Sequence, residues 1–593
     1  MKKKLIKGVY NWAFLLILMA VLIFVNIISS YRSFRIDMTE DKRFSVAEST
    51  KKFLEETENF SGRLNLRIYL EGELPAELRS FRDAVEDKLK ECKVYAGNRI
   101  EYQFINPNVG TDDEKNELFQ SLYDEGRGII PMDVVYMKDG SQSQLRIWPG
   151  AIIDYGGSDV DVIQLLPGSR PQRPYQLAAI PSVTQNAINN LEYILISGMR
   201  RATKEYRPRI AFLQGHGELN PQETMRVRNV LSQYYSIREV TLNDSIHALD
   251  GVDGLIIARP TEKFSDKDIY LIDQFVMKGG SLMCFLDKLS INEDTLMQNG
   301  QVHTTRYDLG LDRMLFDYGI KIHDNLIMDV SCAPKSVPLR EASMIPWFYH
   351  VLTTPTKHPI ARNLEPVSLE YANEIQFVQN SPNVALSPVL TSSTNSTATG
   401  MAPLVSLMLP TTYGKNPQLA PNPTSETNKK CVAGLAEGMF ESYFKNRIVA
   451  EFANDPDAGF EAQSTKEGKV FVVGNGRFLA NSYDTIPDRT APNGYRFEMP
   501  QFNELRYSGE LLQMNFRHFF GNQEFFQNLT DYMLGDNSVL DIRSRQIDIR
   551  QIDKEKVKRD AGFYKMLNLT VPIGIILLLA MVMNYLRKRK FAH

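Results

Sequence analysis

Apolar and polar residues follow two different periods in the first third of the chain. Residues 63–70 and 100–107 alternate between apolar and polar side chains, which is typical of half-buried strands. Between them, residues 77–92 carry apolar side chains every three or four positions, the spacing of an amphipathic helix. This β-α-β order predicts an α/β domain over residues 31–204, which ends in a helix at about 182–204.

The region 205–535 has unbroken apolar runs separated by amphipathic segments. The runs "RIAFLQG", "DGLIIARP", "SLMCFLD" and "KVFVVGNGRFL" predict buried strands. The segment "SDKDIYLIDQFVMKGG" has a serine N-cap and a glycine stop, which are helix signals. This alternation predicts a parallel, doubly wound sheet in an α/β domain. A long insertion precedes the last run, and its Ser, Thr, Asn and Pro-rich stretches, such as "TSSTNSTATG", are predicted to be exposed loops.

Each end of the chain carries an uncharged apolar run with basic residues on its outer side. Residues 12–28 follow four lysines within the first seven residues, and residues 567–583 are followed closely by "RKRK". With its neighbours, each run approaches the roughly 20 residues that a helix needs to cross a bilayer. We therefore predict two transmembrane helices.

The basic residues also predict the topology. Basic clusters next to a span tend to stay in the cytoplasm, so both termini, in segments 1–30 and 563–593, are predicted to be cytoplasmic. The bulk of the chain then lies in the periplasm of a bacterium, and the protein in its inner membrane. A segment of mixed charge at 536–562 is predicted to be a stalk. A cleaved signal peptide is the alternative for the first run, but that run is long and no A-x-A site follows it.

Composition narrows the classes of function. The 593 residues carry a formal net charge of -3, which gives no basic excess for binding nucleic acid. The four cysteines, Cys92, Cys284, Cys332 and Cys431, include no CxxC pair, so neither a zinc ribbon nor a disulfide scaffold is indicated. No GxxxxGK(S/T) loop occurs, so ATP hydrolysis is assigned to another chain.

One loop stands out as a candidate site, because it holds a histidine and a glutamate between glycines just after a predicted strand. The candidate ligand or partner residues are Gln214, Gly215, His216, Gly217, Glu218 and Asn475. At the carboxyl end of a parallel strand, backbone N–H groups could hold a ligand, and His216 with Glu218 could bind a metal or act as base and acid. A metal site needs a third ligand, which the sequence does not place. We favour a structural or partner-docking turn, with no catalytic residue, metal or cofactor.

Nucleophilic cysteine chemistry has little support in this sequence. Such chemistry needs an exposed thiolate beside a base. Cys284 falls within the buried-strand pattern "SLMCFLD" and is interpreted as a core residue. Cys332, in the more exposed "DVSCAPKS", has no neighbouring glycine or histidine. Neither cysteine is predicted to be a nucleophile.

The order of several segments resembles the GldG family, the gliding-motility-associated auxiliary or substrate-binding-like component of an ABC transporter. The segments are "RIDMTEDKRFSVAEST", "PRIAFLQGHGE", "AGLAEGMFESYFKNR" and "VVGNGRFLAN", with an apolar run at each end. The resemblance covers essentially the whole chain. Relatives often carry an acidic residue after the glycine of the last strand, whereas this chain has Asn475, which argues against a metal in that loop.

This resemblance implies a membrane-anchored, periplasmic partner of an ABC permease and its cytoplasmic ATPase, linked to gliding motility and secretion. It also implies that the domain 205–535 is similar to the class I glutamine-amidotransferase-like fold. Two classes of function follow. The first is a non-catalytic assembly subunit, and the second is a ligand receptor or hydrolase-like enzyme that uses the His216 loop. The second class requires a cleft lined by convergent polar groups near His216.

Overall fold

A computed structural model describes residues 45–535 and 554–591, apart from a few isolated positions and short gaps. The gaps are 58–59, 61, 124–127, 139–140, 167–174, 178–179, 204–205, 233, 244, 338–342, 363, 448–458, 489–493, 499–502 and 506–519. Most of the predicted first membrane run, apart from residues 17 and 19–21, and most of the predicted stalk lie outside the described residues. Residues 45–545 form one compact unit, and the two terminal segments of the chain form another.

The first part of the larger unit contains the predicted β-α-β arrangement. Its described helices are α1 (Glu48–Glu55), α2 (Ala76–Ala96), α3 (Asp112–Leu122), α4 (Ile180–Asn189) and α5 (Leu191–Thr203). Its described strands are β1 (Leu64–Ile68), β2 (Ile100–Phe104), β3 (Met132–Lys138), β4 (Ser141–Ile147), β5 (Gly150–Tyr155), β6 (Ser158–Gln164) and β7 (Tyr175–Gln176). Strands β1 and β2 pair in parallel with α2 between them, so the β-α-β prediction is confirmed.

Two small sheets organise this part. One has the order β2-β1-β5-β6, and the other has the order β4-β3-β7. Helix α2 packs through apolar residues at helical spacing, among them Phe81, Val85 and Leu89, all fully buried. The helix predicted at about 182–204 is two helices, because α4 ends at Asn189 and α5 begins at Leu191.

The second part carries the larger sheet. Its described helices are α6 (Met225–Ser232), α7 (Asp266–Met277), α8 (Glu293–Asn299), α9 (Asp312–Asp317), α10 (Leu409–Tyr413) and α11 (Asn522–Met533). Its described strands are β8 (Arg209–Leu213), β9 (Ser236–Val240), β10 (Gly254–Ala258), β11 (Ser281–Phe285), β12 (Leu289–Ser290), β13 (Gln301–His303), β14 (Thr305–Arg306), β15 (Ile320–Ile322), β16 (Ile327–Asp329), β17 (Cys332–Val337), β18 (Ser343–Leu352), β19 (Thr354–Pro355), β20 (Ser368–Glu370), β21 (Ile375–Phe377), β22 (Val384–Thr391), β23 (Ser396–Ala398), β24 (Leu404–Ser406), β25 (Cys431–Gly438), β26 (Gly468–Val473), β27 (Asp484–Pro487) and β28 (Tyr495–Glu498). Eight of them form one sheet, in the order β19-β22-β25-β26-β11-β10-β8-β9.

Strands β26, β11, β10, β8 and β9 are parallel, as the alternation of strands and helices predicts. The late strand joins the sheet beside β11, with Ser281 opposite Lys469. Alternate residues of these strands enter two cores. One core includes α7, through Ile272 and Val276, and the other includes α6 and α11. The parallel part of the sheet is therefore wound on both faces.

The remaining strands of this sheet correct the prediction of a purely parallel sheet. Strands β25, β22 and β19 extend it in antiparallel pairing beyond β26. The sequence of β25, "CVAGLAEG", is rich in small residues and lacks the apolar run of a typical buried strand. Its Gly434 faces a ring closely, because an added Cβ would lie 2.7 Å from Phe377. Packing thus requires a glycine at this position of the strand.

The insertion also differs from the exposed loops predicted for it. Within "TSSTNSTATG", Ser392 and Ser396 are buried, and residues 396–398 form β23. The carboxylate of Asp329, itself buried, accepts a hydrogen bond from Ser393 N at 2.6 Å. Asn395 Oδ1 accepts another from the backbone of a distant loop. Polar side chains fold this segment because they satisfy backbone groups inside the domain.

The second compact unit includes a long carboxyl-terminal helix, α12 (Lys554–Phe591), with Pro572 inside it. The segment Arg559–Arg589 is long and apolar enough to cross a membrane. No part of its apolar stretch is buried against the rest of the protein. This is the one such helix found among the described residues. The predicted second apolar run therefore lies on a helix of spanning length.

Candidate functional site

The candidate loop leaves the carboxyl end of β8, as predicted from the sequence. Gly215 and Gly217 adopt positive φ angles of 122° and 70°. At Gly217 an added Cβ would lie 2.1 Å from Thr261 Oγ1, so a side chain has no room there. Thr261 N donates to His216 O at 3.0 Å, which fastens the loop to the segment after β10. The two glycines therefore allow the loop after β8 to pack closely against the segment that follows β10.

His216 is clamped between two carboxylates from different segments. Its Nδ1 lies 3.2 Å from Glu218 Oε1, and its Nε2 lies 3.2 Å from Asp268 Oδ2. Asp268 belongs to the capping box of α7, where its carboxylate also accepts from Ser265 Oγ at 2.6 Å. The imidazole stacks on Phe264 with ring centroids 3.9 Å apart, and His216 is 8% exposed. The side chain thus ties the β8 loop to the amino terminus of α7.

This geometry does not suit a metal ion or a general base. The two carboxylates lie at opposite ring nitrogens, so one ion could not contact His216, Glu218 and Asp268 together. No group of three metal-ligating side chains was found in the described part of the chain. Gln214 is also engaged, because its Nε2 donates to Leu219 O at 3.1 Å. The arrangement fixes the loop and leaves neither nitrogen of the imidazole open for a substrate.

The charge of His216 depends on this clamp. Burial alone would lower the pKa of His216, but hydrogen bonds to Glu218 and Asp268 outweigh burial and raise the pKa above its ordinary 6.5. A raised folded-state pKa means that the protonated imidazole stabilises the fold. This contribution is fully present below pH 6.5 and is lost as the pH rises through the folded-state pKa.

Replacing His216 by glutamine should lower the free energy of unfolding by about 1–2 kcal/mol at pH 6, because charge-assisted hydrogen bonds are lost. The difference from the wild type should shrink as the pH rises through the raised folded-state pKa of His216, because the wild-type imidazole then loses its charge. Denaturant titrations of the full chain in mild detergent measure both values. His247→Gln is the control, since 63% of the His247 side chain is exposed beside Asp250. The stabilising role of the two carboxylates around His216 is contradicted if His247→Gln lowers the free energy of unfolding equally. It is also contradicted if the effect of His216→Gln grows towards pH 9.

Asn475, the remaining candidate, follows the end of β26 and is 1% exposed. Strands β10 and β11 separate β26 from β8, so at roughly 4.8 Å per strand Asn475 is about 14 Å from the His216 loop. Its Nδ2 donates to the backbone oxygen of Glu370 at the end of β20. The structure therefore does not bring the six candidate residues into one site.

Asp287, which no sequence pattern indicated, lies at the carboxyl edge of the sheet between the His216 loop and Asn475. Asp287, 5% exposed, accepts hydrogen bonds from Gly476 N at 2.6 Å and Arg259 Nε at 2.8 Å. Arg259 has a φ of 54°, rare for a residue with a side chain, and its N donates to Phe285 O at 2.8 Å. One carboxylate thus ties together the segments that follow β10, β11 and β26.

Charged residues from the insertion cover the end of β26. Arg477 Nη1 lies 3.3 Å from Glu293 and 3.8 Å from Glu370, and Lys335 Nζ lies 3.1 and 2.9 Å from the same carboxylates. Burial alone would raise the pKa of Glu370, but surrounding positive charges, Lys335 foremost, lower it to about 2. Four segments distant in sequence supply these residues. The spacing of these residues along the sequence therefore could not predict that they form a cluster.

The cysteines fit the interpretation made from the sequence. Cys284 is completely buried on β11, which confirms it as a core residue, and burial raises the pKa of its thiol. Cys332 begins β17, and burial raises the pKa of its thiol to about 12. Both thiols are therefore protonated and weakly nucleophilic near neutral pH.

The fold is that of an α/β protein with a largely parallel sheet. Proteins of this class commonly bind ligands at the carboxyl ends of the parallel strands, but here side chains of the protein itself bridge these strand ends. The chain belongs to the family described as an ABC-type uncharacterized transport system, an auxiliary family that matches residues 207–506, just over half of the chain. This confirms the resemblance at the level of an ABC transporter auxiliary protein and supports a non-catalytic accessory role in such a system. Residues 40–154 match a domain of unknown function, DUF7088.

Two further comparisons add little. No curated protein matches the chain. Among solved structures, the mmIFT52 N-terminal domain is similar, with 14% identity over 46% of this chain and 88% of that chain, and a TM-score of 0.27. A likeness of that strength carries no argument about fold or function.

Proposed function

We propose that this protein is a non-catalytic, membrane-anchored periplasmic subunit of an ABC-type transport complex associated with gliding motility and secretion. Its partners are an ABC permease and a cytoplasmic ATPase. The chain itself uses no cofactor and catalyses no reaction. The observation that carries the proposal is the occupied carboxyl edge of the parallel sheet.

In open α/β sheets, ligands and catalytic groups usually lie outside the carboxyl ends of the strands. Here Asp287 bridges three strand ends, and Arg477 and Lys335 pair with Glu293 and Glu370 over β26. A receptor or hydrolase-like enzyme based on the His216 loop is the alternative, and it needs an open polar cleft beside that loop. The imidazole is instead stacked on a ring and bonded at both nitrogens. These contacts favour a rigid scaffold over a site that turns over substrate.

Helix α12 supports the membrane anchor. Its apolar stretch is long enough to span a bilayer, and the basic residues Arg587–Lys590 follow it. Basic residues at this end favour a cytoplasmic carboxyl terminus. The first apolar run has the same relation to the lysines before it, so both ends of the chain anchor the protein and the folded part lies in the periplasm.

Tagged protein, purified from its native membranes in mild detergent, tests the proposal. We expect an ABC permease and an ATPase to copurify and to be identified by mass spectrometry. The purified chain freed of these partners should show no hydrolase activity, and His216→Gln should leave the complex intact. A turnover that His216→Gln abolishes would favour the enzyme alternative. Recovery of the chain with no permease or ATPase would contradict the role as an accessory subunit.

A further inference from the structure

A second concave site lies in the first part of the chain, away from the His216 loop. A cavity of about 380 Å³ opens beyond the carboxyl ends of the parallel strands β1 and β2, beside β4. Its wall is formed by Tyr69, Leu70, Glu71, Glu73, Leu74, Asn106, Pro107, Asn108, Leu145, Ile147 and Trp148. Both the size and the position are those of a ligand pocket in an α/β sheet.

Neighbouring residues hold the polar part of this wall in place. Glu71 Oε2 accepts two hydrogen bonds from Arg82, at 3.1 and 2.8 Å, and Arg82 in turn lies over the Phe104 ring. Asn106 Oδ1 accepts from Asn108 N at 3.0 Å, which fixes the amide and directs its Nδ2 away from that bond. The carboxylate and the amide are therefore oriented before any ligand arrives.

Packing also holds the apolar part of the cavity wall in place. Trp148 is 3% exposed, and its ring stacks on Phe119 with centroids 5.2 Å apart. Its Nε1 is buried and has no hydrogen-bond partner among the described residues. Leu145 and Ile147 alternate along β4 and both line the cavity.

The charge and the shape of the cavity limit the ligand. The wall contains two glutamates and no lysine or arginine. Glu71 is paired with Arg82, so the exposed Glu73 supplies the negative charge that faces a ligand. An anionic ligand is therefore disfavoured, and a cationic group is favoured. Aliphatic side chains contribute much of the surface, which suits a branched apolar side chain better than a saccharide. Strand β4 is an outer strand, so one row of its backbone groups is not paired with any described strand.

We propose that this cavity binds an extended peptide segment of a partner protein, with a leucine-like side chain beside a lysine or arginine. The apolar side chain fills the space between Leu74 and Ile147, and the basic group pairs with Glu73. The peptide backbone runs along the outer edge of β4, as in strand addition to a sheet. The proposal does not depend on the accessory role assigned to residues 207–506, because it concerns a different part of the chain.

The test uses the full chain in mild detergent and two synthetic peptides, acetyl-Ala-Lys-Leu-Lys-Leu-Ala-amide and the same peptide with both lysines changed to glutamate. Isothermal titration calorimetry measures binding. We expect saturable binding of the basic peptide and much weaker binding of the acidic one. Glu73→Lys should weaken the basic peptide about tenfold, because like charges then face each other. Leu145→Trp should abolish binding by filling the cavity without changing its charge.

Glu117→Lys is the matched control, since it makes the same charge change on an exposed residue of α3 that does not line the cavity. It should leave the affinity within about twofold of the wild type. The proposal is overturned if the two peptides bind equally, if neither binds, or if Glu73→Lys and Leu145→Trp leave the affinity unchanged. Binding of cellotriose in preference to the basic peptide would also overturn it, in favour of a saccharide site.

Discussion

Replacing Asp287 by alanine should lower the free energy of unfolding by about 3–5 kcal/mol, because it leaves a buried N–H and a guanidinium without their acceptor. Asp287 accepts from Gly476 N and Arg259 Nε, and these two groups follow different strands of the parallel sheet. Asp287→Asn should cost about half as much, since the amide keeps one acceptor but loses the charge. Denaturant titration of the full chain in detergent measures each value.

Asp308→Ala provides the comparison for this experiment. Asp308 pairs with Lys263 at 3.0 Å, but the two side chains are 70% and 66% exposed. An exposed pair of this kind contributes about 0–1 kcal/mol, so this variant should unfold almost as the wild type does. If Asp287→Ala costs no more than Asp308→Ala, the edge of the sheet is not held by this carboxylate.

Under the proposed function, exchange of the second apolar run for polyleucine should remove most of the copurifying permease and impair motility. The exchanged residues are 567–583, and the basic residues Arg587–Lys590 are kept so that insertion is unchanged. Polar groups in a membrane helix favour contact with another helix over contact with lipid. Thr570 Oγ1 already donates to Met566 O at 2.9 Å, which leaves Asn568 as the stronger candidate for a contact between helices.

A polyleucine run that retains Asn568 and Thr570 separates the effect of these side chains from that of the rest of the run. We expect it to recover part of the complex, measured by the amount of permease recovered per unit of tagged chain. Survival of both complex and motility with plain polyleucine would mean that the run is only a tether.

Local patterns in the sequence predicted much of the parallel sheet. Strands β8, β10, β11 and β26 each read as an unbroken apolar run, because parallel strands are buried on both faces. The capping box of α7 is a contact between Ser265 and Asp268, three residues apart, so it too is visible in the sequence. The antiparallel strand β25 was missed, because it is rich in small residues, and one of them, Gly434, is required by the Phe377 ring, which comes from another segment.

The His216 loop likewise combines a feature that local sequence predicts with a contact that it does not predict. The glycine turn around His216 follows from local sequence, since Gly215 and Gly217 need positive φ angles directly after a strand. The partner that engages His216 Nε2 is Asp268, 52 residues away, and no periodicity connects the two. Spacing could therefore indicate that a histidine lay at the end of a strand, but not that both of its nitrogens were occupied.

The sequence by itself determined the strands and helices of the parallel core and the apolar carboxyl-terminal helix, because these depend on periodicity, capping and length over short stretches of chain. Only the tertiary structure decided that the carboxyl edge of the sheet is closed. Asp287, Lys335, Glu370 and Arg477 lie far apart in sequence, and they meet because the insertion folds back over β26. Hydrogen bonds and ion pairs of this kind act over a few ångströms in space, so they leave no regular spacing along the chain.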